Sequence, residues 1–245
     1  VALRADNNGE GGILALYALL RKMKRKWIYL LAIIGASTLL ADGIITPAIT
    51  VTTAIEGLES ISPHLPVIPI TLGIITIIFF VQRFGTESIG KSFGVFMLIW
   101  FLLLGVTGAF SITSYPLILK AFNPYYAAML LAKSPEWFLI LGAVFLCTTG
   151  AEALYSDLGH CGRKNITISW LFVKAMLILN YLGQGAWVLN HIQTASSVNP
   201  FFSIMPQNML IFAIIMATGA AIVASQALIS GTFSILSEAM NLHFW

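Results

Sequence analysis

Charged residues are scarce in this chain, at 9% of 245 residues, whereas a typical soluble domain has about 25%. Hydrophobic residues make up 58% of the chain, a share that excludes an ordinary soluble globular domain. The formal net charge is only +3, so we expect no nucleic-acid partner. The composition therefore predicts an integral membrane protein, with the lipid bilayer as its surroundings.

Cysteine is also scarce, with only Cys147 and Cys161 present. The first lies in an apolar run and the second in a short polar link, which argues against a disulfide framework or a Cys-based metal site. The chain has neither a Gly-rich phosphate loop nor a Gly-x-Ser-x-Gly elbow, and its histidines lack metal-ligand spacing. We therefore predict a protein that is not an enzyme and has no resident cofactor.

The two ends of the chain show no start or stop signals. The chain begins with Val1, and residues 1–12 are polar and turn-rich where a signal peptide would be apolar. Residues 242–245 form neither a polar tail nor a helix-capping signal. We expect the chain to be a fragment of a longer protein.

Six apolar stretches are candidates to cross a bilayer as α-helices, which takes about 20 residues. The second is the shortest and has Pro66 and Pro69 near its start, so its boundary is the least defined. We predict an all-α, multi-span helical bundle in residues 27–245. A cytoplasmic segment, residues 1–26, precedes it and ends in an amphipathic, basic helix. The predicted spans are 27–57, 67–82, 93–113, 137–158, 166–189 and 208–235.

The links between the spans alternate in positive charge. Basic residues concentrate before the first, third and fifth spans: Arg21, Lys22, Lys24, Arg25, Lys26, Arg83, Lys91, Arg163 and Lys164. The other links hold only Lys120 and Lys133. Because Lys and Arg near span ends stay on the cytoplasmic side, we predict a multi-pass membrane protein with these basic links on its cytoplasmic side. The N-terminus of the chain would be cytoplasmic.

Asp42 is an ionisable residue near the middle of the first predicted span, where it cannot reach water. Such groups cost at least about 2.5 kcal/mol on insertion scales, so each is a functional candidate. Thr46 and Thr50 follow at i+4 and i+8, which places three oxygen-bearing side chains on one helical face. Pro47 lacks a backbone N–H and so frees the carbonyl of Gly43. These oxygens indicate a cation site; the alternative is that Asp42 hydrogen-bonds a neighbouring helix for packing.

Glu152 is the second acid within a predicted span. Thr149 and Gly150 precede it and weaken the helix, and an unwound turn would expose backbone carbonyls. Thr149 at i−3 would share the face of Glu152. The sequence therefore predicts a broken helix that supplies further cation ligands. The alternative is an acid at the cytoplasmic end that pairs with Arg163 or Lys164.

Other polar groups in the spans favour packing over ligand binding. The ammonium group of Lys174 can reach the cytoplasmic surface through its long stem. Asn180 and Gln184 share a face beside glycines that allow close helix approach. The same interpretation applies to three residues of the last span, Ser225, Gln226 and Ser230.

Five motifs spread along the chain resemble those of the KUP/HAK/KT potassium uptake permeases. They are residues 4–14 (RADNNGEGGIL), 42–49 (DGIITPAI), 150–160 (GAEALYSDLGH), 180–185 (NYLGQG) and 224–231 (ASQALISG). The resemblance covers nearly the whole chain, and the motifs are long enough to be specific. One departure is Lys174, in a span that is purely apolar in many members of the family.

The resemblance implies a fold and a function. The fold would be part of an inverted-repeat transporter core like that of amino-acid and neurotransmitter symporters, and the six spans would correspond to the family's third to eighth. The function would be potassium uptake across the plasma (cell inner) membrane, with potassium and protons transported together in symport. The cation-binding residues that it implies are Asp42, Thr46, Thr50, Thr149 and Glu152.

A potassium ion needs several oxygens in place of its hydration shell. We expect Asp42, Thr46, Thr149 and Glu152 to supply four of them. Burial disfavours the charged form of a carboxyl group and a bound cation favours it, so proton and potassium binding become linked. We assign this proton coupling to the two acids, with Glu152 exchanging the proton and Asp42 the more permanent cation ligand.

Two other functions are compatible with buried acids in spans. One is a secondary transporter of related fold that carries amino acids or other small solutes. The other is an intramembrane aspartyl protease with two acids as its acid/base pair. Leu40 and Ala41 precede Asp42, however, in place of the Gly-x-Gly sequence that such proteases have. We also consider a homodimer as the oligomeric state.

Overall fold

The computed structural model describes residues 12–20, 23, 26–60, 65–82, 87–147, 150, 162–195 and 198–241. Every regular element within these ranges is a helix. The α-helices are α1 (Ile13–Leu20), α2 (Lys26–Glu56), α3 (Val67–Gln82), α4 (Glu87–Ser114), α5 (Pro124–Lys133), α6 (Trp137–Leu146), α7 (Arg163–Asn190) and α8 (Leu210–Asn241), with one further turn at Pro200–Ser203. Short 3₁₀ segments lie at Gly57–Ser60, Pro116–Phe122 and Gln207–Met209.

Four helices in the described ranges are long and apolar enough to cross a membrane. The segments that qualify are Trp27–Glu56, Phe93–Ser114, Lys164–Asn190 and Gln207–Ser237. The helix α2, for example, has 31 residues. Its length of about 46 Å exceeds the hydrocarbon thickness of a bilayer, which is about 30 Å. The chain is therefore a multi-span helical membrane protein, as its composition predicts.

Shorter helices occupy the other two predicted spans. The helix α3 has 16 residues, and α6 ends at Leu146 after 10 residues. Residues 148, 149 and 151–158 of the predicted fourth span lie outside the described residues. The division into segment 1–26 and six spans, like the inverted repeat, stays a prediction.

One compact unit contains the described residues of ranges 1–100, 152–170 and 211–245. Within it α2 packs against α1 and α3. Ile13 of α1 lies so close to Gly35 of α2 that a Cβ atom on the glycine would overlap the Ile13 side chain. Leu14 and Ala15 of α1 are buried as well. The short helix predicted before the first span therefore forms, and apolar contacts hold it on α2.

A second compact unit contains the described residues of ranges 101–151 and 171–210. Here α4 and α7 approach each other closely at two glycines. A Cβ atom on Gly183 would lie 2.5 Å from the Cα atom of Gly108. The hydroxyl of Ser111 donates a hydrogen bond of 2.8 Å to the carbonyl of Gly183. The absence of side chains at both glycines is what allows this close approach of the two backbones.

Candidate cation site

The polar face that the sequence predicts on α2 is present, and its first two members are hydrogen-bonded to each other. The hydroxyl of Thr46 donates to Asp42 Oδ1 at 2.5 Å, one helical turn away. The hydroxyl of Thr50 donates to the backbone carbonyl of Thr46 at 2.6 Å. All three side chains are half-buried. The structure therefore brings a carboxylate and a hydroxyl together, and the second hydroxyl continues the same face.

The second carboxylate oxygen of Asp42 has different surroundings. Asp42 Oδ2 is buried and has no hydrogen-bond partner among the residues that the structure describes. An unpaired acceptor away from water costs free energy, and the cost is larger for a charged group. A proton or a cation at this oxygen would remove that cost. The carboxyl group thus has one oxygen held by Thr46 and one oxygen available to bind.

The backbone next to Asp42 is also unusual. Pro47 lies inside α2 and has no N–H to donate to the carbonyl of Gly43, one turn earlier. Gly43 is buried against Thr232 of α8, whose side chain would overlap a Cβ atom at that position. The close approach of α8 to this turn of α2 therefore depends on glycine.

The regular helix that leads toward the other predicted ligands ends at Leu146. The next residue, Cys147, shares its backbone N–H between the carbonyls of Ala143 at 3.3 Å and Val144 at 3.2 Å. Such shared hydrogen bonds are common at helix ends. Gly150 has a φ of 103°, in the left-handed region that glycine adopts without steric cost. The helix α6 thus ends shortly before the predicted break, and the residues that would continue a broken helix lie outside the described residues.

Thr149 and Glu152 lie outside the described residues. Their position relative to Asp42 and Thr46 therefore stays a prediction. What the structure shows is one part of the predicted ligand set, the three residues of α2, together with the helix end that precedes the other part.

Several polar side chains of the spans are buried without a partner in the described part of the chain. Asn180 is 4% exposed, and Ser225 and Gln226 are 2% and 4% exposed. The atoms without a partner are Asn180 Oδ1, Ser225 Oγ, Gln226 Nε2 and, on α3, Thr71 Oγ1. The sequence interpretation of the first three as packing residues stays a prediction.

Two polar residues of the described helices had no sequence prediction. Thr71 is one of the buried polar residues of the described chain, and Thr232 contacts the turn of α2 that holds Asp42 through Gly43. Thr232 follows Ser225 by two helical turns, so the polar periodicity of α8 could have placed both residues on one face. A lone threonine such as Thr71 has no comparable signal, because threonine is common in membrane helices.

The remaining candidates do not form a site. Lys174 is exposed on α7. Cys147 is an exposed free thiol, and Cys161 lies outside the described residues. Within the ranges described, no three His, Cys, Asp or Glu side chains are close enough to hold a metal ion. The oxygen-lined face of α2 is thus the best-defined candidate, and its hard oxygens suit an alkali or alkaline-earth cation.

These features define a multi-span helical membrane protein in which a carboxylate and a hydroxyl are paired inside a span. An ionisable residue at such a position is typical of an ion pathway. The chain belongs to the potassium transporter family, because the family model described as "K+ potassium transporter integral membrane domain" matches residues 1–245. The match confirms the family that the sequence motifs indicate.

Similar proteins occur in several bacteria under the name "Probable potassium transport system protein Kup". The protein of Flavobacterium psychrophilum is 52% identical over 251 residues, which cover 100% of this chain and 38% of that protein. That of Flavobacterium johnsoniae is 53% identical over 254 residues, with 100% and 39% covered. That of Latilactobacillus sakei is 55% identical over 258 residues, with 99% and 38% covered. No solved structure matches the chain.

The comparisons have two consequences. The relatives are named as transport proteins and not as proteases, so they argue against the aspartyl protease alternative. The chain also spans only 38% of the length of the first relative. The activity of the complete protein is therefore a matter for proposal.

Proposed function

We propose that the complete protein containing this chain takes up potassium ions across the cell inner membrane in symport with protons. The observation that supports this most directly is the carboxyl group of Asp42, with one oxygen bonded to Thr46 and the other buried without a partner among the described residues. Family membership and the names of the relatives indicate potassium as the cation.

The proposed site combines oxygens from two parts of the chain. Asp42 and Thr46 supply a carboxylate and a hydroxyl from α2, with Thr50 one turn further along. Thr149 and Glu152 supply the second pair from the interrupted helix. The remaining oxygens come from unwound backbone and from segments outside this chain, because a dehydrated potassium ion needs a full shell of oxygen ligands.

Proton coupling follows from the chemistry of buried carboxyl groups. A buried carboxyl group is more stable when either a proton or a cation neutralises it, so the binding of the two becomes linked at a cluster that holds more than one acid. In our proposal Glu152 exchanges its proton during transport, and Asp42 remains the permanent cation ligand. The inverted-repeat core and the cytoplasmic N-terminus of the chain are parts of the same proposal.

The test of the proposal neutralises each acid in the complete protein and measures rubidium uptake, with rubidium as a tracer for potassium. Asp42→Asn keeps the size of the side chain and removes its charge. We expect the half-saturation concentration to rise by about 100-fold or more, the effect of removing a buried charged partner. The control is Glu136→Gln, which neutralises an exposed acid between α5 and α6 and should leave uptake unchanged. Unaltered affinity in Asp42→Asn would contradict the proposed site.

The second arm of this experiment uses Glu152→Gln and follows proton movement together with uptake. We expect loss of proton-coupled uptake, since glutamine cannot exchange a proton at this position. Proton-coupled uptake at the normal rate would refute the role of Glu152. An excess of amino acids in the same assay separates potassium transport from the amino-acid alternative, because only an amino-acid carrier would be inhibited.

A further inference from the structure

The helix α8 meets α2 at the turn that carries Asp42. The residue after Asp42, Gly43, is buried, and the three atoms nearest to a Cβ position on this glycine all belong to the side chain of Thr232. The nearest of the three is the hydroxyl oxygen, Thr232 Oγ1. Both residues lie in the first compact unit. An oxygen of α8 therefore lies against the backbone next to a proposed cation ligand.

The hydroxyl of Thr232 acts as an acceptor toward α2. Its hydrogen is donated to the backbone carbonyl of Leu228 at 2.8 Å, one turn earlier in the same helix. A hydroxyl has one hydrogen to donate and two lone pairs that accept. With the hydrogen bonded within α8, Thr232 Oγ1 offers only lone pairs to its other neighbours. Gly43, the nearest residue of α2, has no side chain that could donate to them.

Two other oxygens of the same turn also need a partner. Pro47 lies inside α2 and has no N–H, so the carbonyl of Gly43 lacks its usual helical donor. Asp42 Oδ2 is buried with no partner among the described residues. A metal cation coordinates several oxygens at once, whereas a water molecule has only two hydrogens to donate. Three acceptors at one turn therefore favour a cation as their shared partner.

The polar face of α8 extends beyond Thr232. Ser225 precedes Thr232 by two helical turns and so lies on the same face. Its side chain is 2% exposed, and its hydroxyl has no partner in the described part of the chain. Buried polar groups are normally hydrogen-bonded, and packing alone would be served better by an apolar side chain. The unpaired hydroxyl is thus a separate indication that this face of α8 serves binding.

We propose that Thr232 is a further ligand of the transported cation, and that its hydroxyl oxygen binds the ion together with Asp42 Oδ2 and the carbonyl of Gly43. The inference rests on the proposed function, because the ion is the one that Asp42 binds. One carboxylate and two neutral oxygens carry a single negative charge, which suits a monovalent cation such as potassium. Glycine at position 43 belongs to the same arrangement, since a Cβ atom there would overlap the Thr232 oxygen.

The experiment measures equilibrium binding of rubidium to the purified complete protein for three substitutions of Thr232. Thr232→Val keeps the shape of the side chain and replaces the hydroxyl by a methyl group. We expect a dissociation constant about 10-fold higher, the effect of losing one oxygen partner of a charged group. Thr232→Ala, which removes the oxygen without adding bulk, should lose affinity in the same way. Thr232→Ser keeps the hydroxyl, and its affinity should stay within about twofold of the wild type.

Thr218→Val is the matched control for a purely structural role. Thr218 is half-buried on the same helix, about 21 Å from Thr232 along its axis. Its hydroxyl donates to the carbonyl of Ile214 at 2.9 Å, so the substitution removes the same kind of bond within the helix. We expect wild-type affinity for rubidium. Normal affinity in Thr232→Val, or a loss that Thr218→Val or Thr232→Ser shows equally, would overturn the inference.

The result can be separated from a failure of the proposed function. If Asp42→Asn weakens rubidium binding and Thr232→Val binds rubidium normally, only the role of Thr232 is wrong. If Asp42→Asn leaves the affinity unchanged, the proposed site is wrong, and with it the reason for a ligand at Thr232.

Discussion

At Asp42 the two oxygens of one carboxyl group are in unequal surroundings. Oδ1 accepts the hydroxyl of Thr46, while Oδ2 is buried without a partner in the described part of the chain. The hydroxyl of Thr46 fixes the orientation of the carboxyl group, and this orientation leaves the second oxygen free to meet a cation. Thr50 differs, since its hydroxyl donates to its own helix, as threonines in membrane helices commonly do.

The two threonines should therefore respond differently to the same substitution. Thr46→Val removes the hydroxyl bonded to Asp42, and we expect cation affinity to fall about 10-fold, as for the loss of a hydrogen bond to a charged group. Thr50→Val removes a hydroxyl bonded to backbone, so we expect a smaller effect. Half-saturation concentrations for rubidium uptake by the complete protein test this order. Equal effects would show that the bond between Thr46 and Asp42 has no special importance.

At the scale of helices, small residues determine which elements can approach closely. Gly183 of α7 lies against the backbone of Gly108, and a Cβ atom there would come within 2.5 Å of backbone atoms. At Gly142 of α6, no atom of the described residues lies within 4 Å of where a Cβ atom would be. Backbone atoms cannot rotate away as the end of a side chain can, so the first glycine is required for packing and the second is not.

Alanine substitutions at these glycines should change stability in opposite directions. Gly183→Ala forces α4 and α7 apart, and we expect it to destabilise the protein by about 1–3 kcal/mol. Gly142→Ala adds a methyl group in open space within a helix, and we expect it to be neutral or stabilising by up to about 1 kcal/mol. Thermal unfolding of the complete purified protein in detergent measures both. A similar shift in the two variants would refute the close crossing.

At the scale of the whole molecule, the chain corresponds to only part of the relatives that it matches. It covers 38% of the relative from Flavobacterium psychrophilum. The described face of α2 offers a carboxylate and hydroxyls, which are fewer oxygens than a fully dehydrated potassium ion needs. A cation pathway across the membrane would therefore need further segments.

We accordingly expect that the 245-residue chain reconstituted alone in proteoliposomes takes up no rubidium above the level of empty vesicles. The complete protein in vesicles of the same composition is the positive control. Uptake by the chain alone that saturates with rubidium and is lost in Asp42→Asn would show that the site is complete without other segments.

Some features of the site could be predicted from the sequence because they are local. The spacing of Asp42 and Thr46 at i and i+4 places them on one face of any helix, and the structure has them bonded. The predicted break before Glu152 is also a local inference, since glycine and adjacent threonines weaken a helix within a few residues; the structure shows only that α6 ends at Leu146. The contact between Gly43 and Thr232 was not predictable, because it joins residues far apart in the chain on different helices.

The sequence by itself determined that this is a helical membrane protein of the potassium transporter family, and it determined which polar residues share a helical face. Hydrophobic composition and helical periodicity are enough for this, since both depend on residues close together in the chain. Tertiary structure alone decided that Asp42 Oδ2 is buried with no partner among the described residues and that Gly183 meets Gly108. These features depend on which faces of distant helices come into contact. Such contacts are set by the packing of whole helix surfaces, and a short stretch of sequence does not determine that packing.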